Sequence, residues 1–216
     1  MILKVITVIA FSYLVGSIPF GLIVAKVGYQ IDIREHGSGN IGATNIFRIL
    51  GFLPSVGVLV GDISKGALAI FLAHYLSPGL THFQENILVA LSAMGAILGH
   101  NFSIYLKFSG GKGIATALGA LMVLDFILAG TLFLIWLFVL VLRRYVSLAS
   151  IAAALAFPVI MIFRHPQNLP FIVFSIAAAL LVIFRHFSNI KRLLAGNEPQ
   201  VLTVKNQESR VRSEGR

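Results

Sequence analysis

The sequence reads as an all-α integral membrane protein, a bundle of seven transmembrane helices with the N-terminus outside and the C-terminus in the cytoplasm. A composition too apolar for water, a series of apolar runs of membrane-spanning length, and a one-sided distribution of Lys and Arg lead to that reading. Of 216 residues, 57% are hydrophobic and 12% charged, and mean hydropathy is +0.91. A soluble domain carries about 25% charged residues, so this chain cannot coat a globule of its size.

Hydrocarbon about 30 Å thick takes roughly 20 apolar residues to cross as a helix. Runs of that kind lie near 3–25, 51–76, 86–106, 127–143, 146–164 and 169–187. The first passes through Gly16, Pro19 and Gly21 without an A-x-A-like site, so a cleavable signal peptide is not expected. Between the third and fourth runs, 113–124 is apolar but short, and Asp125 follows it. An aspartate is expensive at mid-membrane, so the chain is divided there and the count becomes seven. Residues 1–200 then form one membrane domain. Residues 201–216, polar throughout their last part, form a tail expected to be disordered.

Seven spans put the connections on two faces. On one fall Lys26, Arg34, Arg48, Lys107, Lys112, Arg143, Arg144, Arg185, Lys191 and Arg192; on the other, only Lys4 and Arg164. The positive-inside rule makes the rich face cytoplasmic. The net charge of +9 therefore belongs to a membrane face, which makes the lipid bilayer, not nucleic acid, the expected partner. With no cysteine, neither a disulfide nor a thiolate site is possible.

Four polar stretches, 30–48, 107–116, 143–150 and 185–198, share the cytoplasmic face. The first contains GSGNIGAT, whose glycines at 37, 39 and 42 fit G-x-G-x-x-G. No βαβ unit surrounds it, and Ala43 stands where a P-loop needs Lys, so nucleotide binding is not expected. What survives is anion binding, because glycines let successive N–H groups line a concavity and a helix N-terminus adds positive potential. Gly37, Ser38, Gly39, Asn40, Thr44, Asn45 and Arg48 are candidates in this loop. The second glycine loop, GGKGIAT, offers Gly110, Gly111, Lys112, Gly113 and Thr116. Taken singly, either loop reads as a tight turn between helices; two on one face, each with a cation, read as a double phosphate cradle.

Elsewhere, GDISKG puts Asp62 and Lys65 on one helical face, expected as a structural ion pair with a direct substrate role for Lys65 as the alternative. Ser147 and Ser150 begin a helix and serve either as caps or as ligands. In HFSNIKRLLAGNE, His186 and Asn189 stand three apart, with Glu198 beyond Gly196. His74 and His100 lack such company. No metal is expected, since H-E-x-x-H and carboxylate clusters are missing, and no cofactor is implied.

SGNIGATNIFR (38–48), GGKGIAT (110–116) and HFSNIKRLLAGNE (186–198), in this order in a short multi-span chain, resemble the three signature motifs of the bacterial acyl-phosphate:glycerol-3-phosphate acyltransferase family, PlsY. GDISKG and RYVSLAS resemble further family blocks, and the likeness runs to about residue 200. It implies transfer of a fatty acyl group from acyl phosphate to the 1-hydroxyl of glycerol 3-phosphate in the inner membrane, giving lysophosphatidate and phosphate. By the same resemblance, Ser38, Arg48, His186 and Asn189 are catalytic, the glycine-rich motif binds glycerol 3-phosphate, and Glu198 is structural. The enzyme that makes acyl phosphate is an expected partner. No His here is followed by Asp at the H-x-x-x-x-D spacing of other glycerol-phosphate acyltransferases. Direct attack of the hydroxyl and acylation of Ser38 both remain open mechanisms. The alternative functions are a transporter for a phosphorylated metabolite and a non-catalytic binder of anionic lipid.

Overall fold

The computed structural model describes residues 2–201, so most of the tail, 202–216, lies outside the described residues. Every regular element among them is helical. In chain order these are α1 (Ile2–Ser17), α2 (Phe20–Tyr29), α3 (Ala43–Leu50), α4 (Phe52–Leu76), α5 (His82–Asn101), α6 (Ile114–Leu124), α7 (Phe126–Arg143), α8 (Val146–Arg164), α9 (Leu169–Arg185) and α10 (Phe187–Leu194).

The sequence accounts for most of the boundaries. Pro19 has no N–H to give the preceding turn, and the first apolar run divides there into α1 and α2. Thr81 and Gln84 close a capping box that starts α5. The expected division at 125 occurs because the Asp125 carboxylate accepts the Leu128 N–H at 2.9 Å, as the N-cap of α7. It also takes a fork from Arg164, at 2.7 and 3.1 Å, which closes this end of the bundle.

Five helical segments among the described residues are long and apolar enough to cross a membrane, or six if α9 and α10, bent by 59°, count as one. At eleven residues, roughly 16 Å, α6 is too short to span 30 Å of hydrocarbon by itself. Among the described residues, the seven expected helices correspond to five segments of spanning length, the bent pair that counts as a sixth when taken together, and this short helix. Across the outer surface run exposed Leu, Ile and Phe side chains such as Leu134, Phe138, Phe163 and Leu180. In water such a belt would be an aggregation surface; in lipid it is the solvated face.

Small residues make the tightest crossings. A Cβ placed on Gly66 of α4 would strike the Thr116 carbonyl of α6, and one on Gly119 of α6 would strike the Ile63 carbonyl of α4. Gly16 and Gly99 do the same between α1 and α5. Ser12 and Ser92 share a hydrogen bond at 2.9 Å, and Ser92 Oγ lies 2.6 Å from the Ala69 carbonyl, so three helices are tied in a dry interior. One main core cluster fills the space among α4, α5, α6, α8 and α9. A smaller one, containing Ile33, Ile46 and Val58, supports the first glycine loop from below.

These crossings yield a paired prediction. Gly119→Val should lose about 1–3 kcal/mol through overpacking and lower the thermal midpoint of the protein in detergent. Gly130→Ala, at a position where an added Cβ meets nothing within 4 Å, should leave that midpoint unchanged or raise it slightly.

Candidate active site at one end of the bundle

The polar stretches meet around one cavity of about 600 Å³. One part of its rim comes from the loop before α3. Asn45 builds that loop: its side chain accepts the Ser38 N–H at 2.9 Å and donates to the His36 and Asn40 carbonyls at 3.0 and 2.9 Å. Asn40 in turn accepts the Gly42 N–H at 2.8 Å. Gly37 and Gly39 lie in the left-handed region, φ 61° and 69°, where a side chain would be strained. They do not line the cavity; they give the loop its shape. Ser38, Thr44 and Arg48 face the cavity from this side, and the Ser38 hydroxyl has no hydrogen-bond partner among the described residues.

Arg48, on the amphipathic α3, sends one terminal nitrogen to the Pro199 carbonyl at 3.3 Å, while its buried Nε has no partner among the described residues. Burial lowers the tendency of this guanidinium to hold its charge, against the opposing pull of Glu198. A buried N–H without an acceptor at a cavity wall is a donor prepared for an anion.

The glycine loop supplies the second side. Arg185, at the end of α9, donates to the Gly110 carbonyl at 2.7 Å and to the Gly111 carbonyl at 2.9 and 3.1 Å. Gly110 and Gly111 do not line the cavity; they present carbonyls to this clamp, and Gly111 leaves room for the His100 ring packed against it. Gly113 does line it, in the left-handed region at φ 77°. Lys112 reaches across and donates to the Asn189 side-chain amide oxygen, Oδ1. Burial pushes its ammonium pKa down to about 8, with Glu198 pulling the other way and neighbouring arginines adding to the fall. Thr116 is fully buried at the α4–α6 crossing and lies outside the cavity wall, so the expectation of a ligand there is not met.

Glu198 joins the remaining pieces. Its Oε1 accepts from Ser147 at 2.7 Å and Asn189 at 2.6 Å, and its Oε2 accepts from Arg192 at 2.8 Å. Burial alone would raise its pKa, but these donors outweigh it and keep the carboxylate below its ordinary range. Ser150 back-bonds to the Val146 carbonyl and accepts the Trp136 indole N–H at 3.2 Å. Ser147 and Ser150 thus line the cavity with their hydroxyls already engaged.

His186 occupies the corner between α9 and α10, not the same helix as Asn189, yet both side chains line the cavity. Its Nδ1 lies 2.8 Å from the Val182 carbonyl. A carbonyl only accepts, so Nδ1 carries the proton and Nε2 of the neutral ring is left as an acceptor.

Beneath the mouth, Lys65 Nζ sits 2.7 Å from Asp62 and 3.3 Å from His100 Nδ1, and Lys65 is 1% exposed. The ion pair stands as expected; Asp62 and His100 line the cavity, whereas Lys65 lies behind them and does not. His100 and Arg185 were missed by sequence reasoning. For Arg185 a signal existed: paired loop glycines expose carbonyls that need a donor, and an Arg ends the following span.

The lower wall is apolar: Leu118, Leu121, Phe133, Ala154, Phe157 and Ala178 are among its residues. One cavity thus joins a cation-rich polar mouth to a dry inter-helical seam. A family model for glycerol-3-phosphate acyltransferases matches residues 6–196. The chain belongs to that family. It is 45% identical over 187 residues to glycerol-3-phosphate acyltransferase 2 of Moorella thermoacetica, covering 87% of this chain and 92% of the relative. It is 48% identical over 157 residues to the glycerol-3-phosphate acyltransferase of Desulforudis audaxviator, covering 72% and 75%. Crystal structures of the integral membrane glycerol 3-phosphate acyltransferase PlsY (YgiH) superpose with TM-scores of 0.83 in its glycerol 3-phosphate form and 0.81 in its lysophosphatidic acid form. They are 36% and 35% identical, each covering 91% of this chain and 94% of that one. The chain is accordingly a multi-pass membrane acyltransferase.

The clamp on the glycine loop can be tested directly. Arg185→Ala removes three hydrogen bonds from a charged donor, each worth about 1.5–3 kcal/mol where the carbonyl is left unpaired. Hydrogen exchange at 110–113 should rise and activity fall at least tenfold. Arg185→Lys, which lacks the planar fork, should restore only part of both.

Proposed function

We propose that this acyltransferase moves a fatty acyl group from acyl phosphate to the 1-hydroxyl of sn-glycerol 3-phosphate, releasing lysophosphatidate and inorganic phosphate. The observation that carries the reading is the single cavity in which Arg48, Lys112 and Arg192 crowd the mouth while apolar side chains line the depth. Two phosphates need the first part and one acyl chain needs the second. The two crystal forms of PlsY, with glycerol 3-phosphate and with lysophosphatidic acid, correspond to an acceptor and a product of this reaction. The cation-rich mouth is assigned to the cytoplasmic side of the bacterial inner membrane by the positive-inside rule, with the N-terminus outside and α6 counted as a seventh, short pass. An upstream enzyme that supplies acyl phosphate would dock on that side.

In the proposed mechanism, Arg48 Nε and the Lys112 ammonium hold substrate phosphates, and the Ser38 and Thr44 hydroxyls add neutral donors. His186 Nε2 accepts the 1-hydroxyl hydrogen and orients the oxygen toward the acyl carbon, with Asn189 beside it. Attack forms the new ester C–O bond, and the C–O bond to phosphate breaks as the tetrahedral oxyanion collapses. The hydroxyl proton leaves on the released phosphate. Acyl phosphate is a mixed anhydride with a good leaving group, so positioning and charge stabilisation suffice. No histidine hydrogen-bonds Ser38 among the described residues, which favours direct attack over a Ser38 acyl-enzyme.

The assay is phosphate release from palmitoyl phosphate by purified protein, with glycerol 3-phosphate as acceptor. His186→Ala should lower kcat by about 10²–10⁴. Full activity in that variant would remove the ring from the chemistry, and recovery of a labelled acyl group on Ser38 would overturn direct attack. Uptake of glycerol 3-phosphate into liposomes without release would favour a transporter.

The Lys112 shift sets a pH dependence. The ammonium is charged below about 8 and loses its charge above it, so kcat/KM for glycerol 3-phosphate should be flat below that pH and fall at least tenfold above it. Lys112→Arg stays charged and should abolish this alkaline fall; a profile identical to that of the unaltered protein would show that Lys112 does not bind the phosphate.

A further inference from the structure

A second cavity, of about 90 Å³, lies on the line of the first. Four helices contribute to both. Along α6 the lining passes from Ile114, Leu118 and Leu121 in the large cavity to Leu121, Leu124 and Asp125 in the small one. Along α8 it passes from Ser150, Ala154 and Phe157 to Phe157, Met161 and His165. The antiparallel α9 gives Val182 and Ala178 to the first and Phe174 and Phe171 to the second, and α7 gives Leu132 and Leu128 in the same sense. These are i, i+3 and i, i+4 steps on facing sides, so one seam runs the length of the four helices. Leu121 and Phe157 are the two residues common to both linings.

Phe157 is 5% exposed and held edge-on by Phe174, with ring centroids 5.7 Å apart at 79°. Leu121, 6% exposed, lines both cavities at the same level from α6. The seam is therefore stopped from side to side at this level. From Ser147 to Phe157 the depth along α8 is roughly 15 Å at 1.5 Å per residue. Beyond the stop, the small cavity ends at Asp125, which is paired with Arg164 and with His165 at 2.7 and 2.9 Å. An alkyl chain gains by burying its methylenes against this apolar lining up to that polar cluster and loses by entering it.

We infer that Leu121 and Phe157 are the floor of the acyl groove and set the chain length this enzyme accepts, an inference that rests on the acyl-transfer reading. Opening the floor joins the two cavities and admits longer chains. Enlarging it shortens the groove. Ala153, Ala154, Ala178 and Ala179 leave the width of the groove above the floor, and none of them bears on its depth.

The test is kcat/KM for lauroyl, myristoyl, palmitoyl and stearoyl phosphate, each with saturating glycerol 3-phosphate. In Phe157→Ala and Leu121→Ala the stearoyl-to-lauroyl ratio should rise by about fourfold for each further methylene that seats in the enlarged groove. In Phe157→Trp it should fall. Phe157→Leu, a milder change, keeps the test open should the alanine variant not fold, and its ratio should move in the same direction as alanine. Active variants with the unaltered protein's ratio would overturn the floor while leaving the acyltransferase reading intact. No product from any of the four donors with unaltered protein would overturn both.

Discussion

A surplus of positive charge around one buried carboxylate governs the site. Arg48, Lys112, Arg185 and Arg192 all approach the cavity mouth, and Glu198 is the acid among them. Glu198 already spends its lone pairs on Ser147, Asn189 and Arg192. Among the described residues no further carboxylate pairs with the remaining charge, and burial makes that expensive for Lys112 and Arg48. Such an arrangement is stable enough to persist only at the end of the bundle, where water or an incoming phosphate screens it. A dianion entering the mouth relieves repulsion that the fold itself maintains, so binding energy is available without any movement of the helices.

The same carboxylate fixes the segment after α10. Asn197 N–H returns to the Arg192 carbonyl at 2.8 Å, Pro199 gives its carbonyl to Arg48, and Val201 N–H reaches the Arg144 carbonyl at 3.0 Å. This strap links α3, α10 and the α7–α8 corner around the mouth. Below it helices satisfy their own backbone groups and need little polar lining in lipid, and the Asp62–Lys65–His100 cluster and the Ser12–Ser92 pair there are internally bonded. A soluble phosphorylated acceptor and an insoluble acyl donor thus meet where the two kinds of solvent meet.

Much of this was legible in the chain. The division at Asp125, the Asp62–Lys65 pair, and the presence of Ser38, Arg48, Lys112, His186 and Asn189 at one cavity all follow from charge, breaks and motif spacing, whereas the break at Pro19 inside the first run was not read. Other features depend on who faces whom across helices, which spacing along one chain does not encode. Asn45 was expected on the ligand and is consumed in building its loop; Thr116 was expected there too and lies in a crossing that needs Gly66 and Gly119. Gly110 and Gly111 act through the carbonyls that Arg185 holds. Lys65 has its partner so close in sequence that pairing was readable, yet its complete burial behind His100 was not. The short α6 was readable for a simpler reason: it stops after eleven residues at Asp125, which caps its neighbour.

The corner at His186 shows how one local event positions distant chemistry. The Val182 carbonyl accepts the His186 N–H at 3.0 Å and also faces Nδ1 at 2.8 Å. At His186 the helix turns by 59° instead of continuing straight. A straight α9 would carry Asn189 and Arg192 away from the bundle along its own axis. The bend lays α10 across the mouth, where Asn189 meets Lys112 and Glu198 and Arg192 meets the other carboxylate oxygen. The Val182 carbonyl fixes the imidazole tautomer and the bend beside it places two further site residues, and the amphipathic character of α10, apolar on one side and basic on the other, is what lets it rest there at the surface.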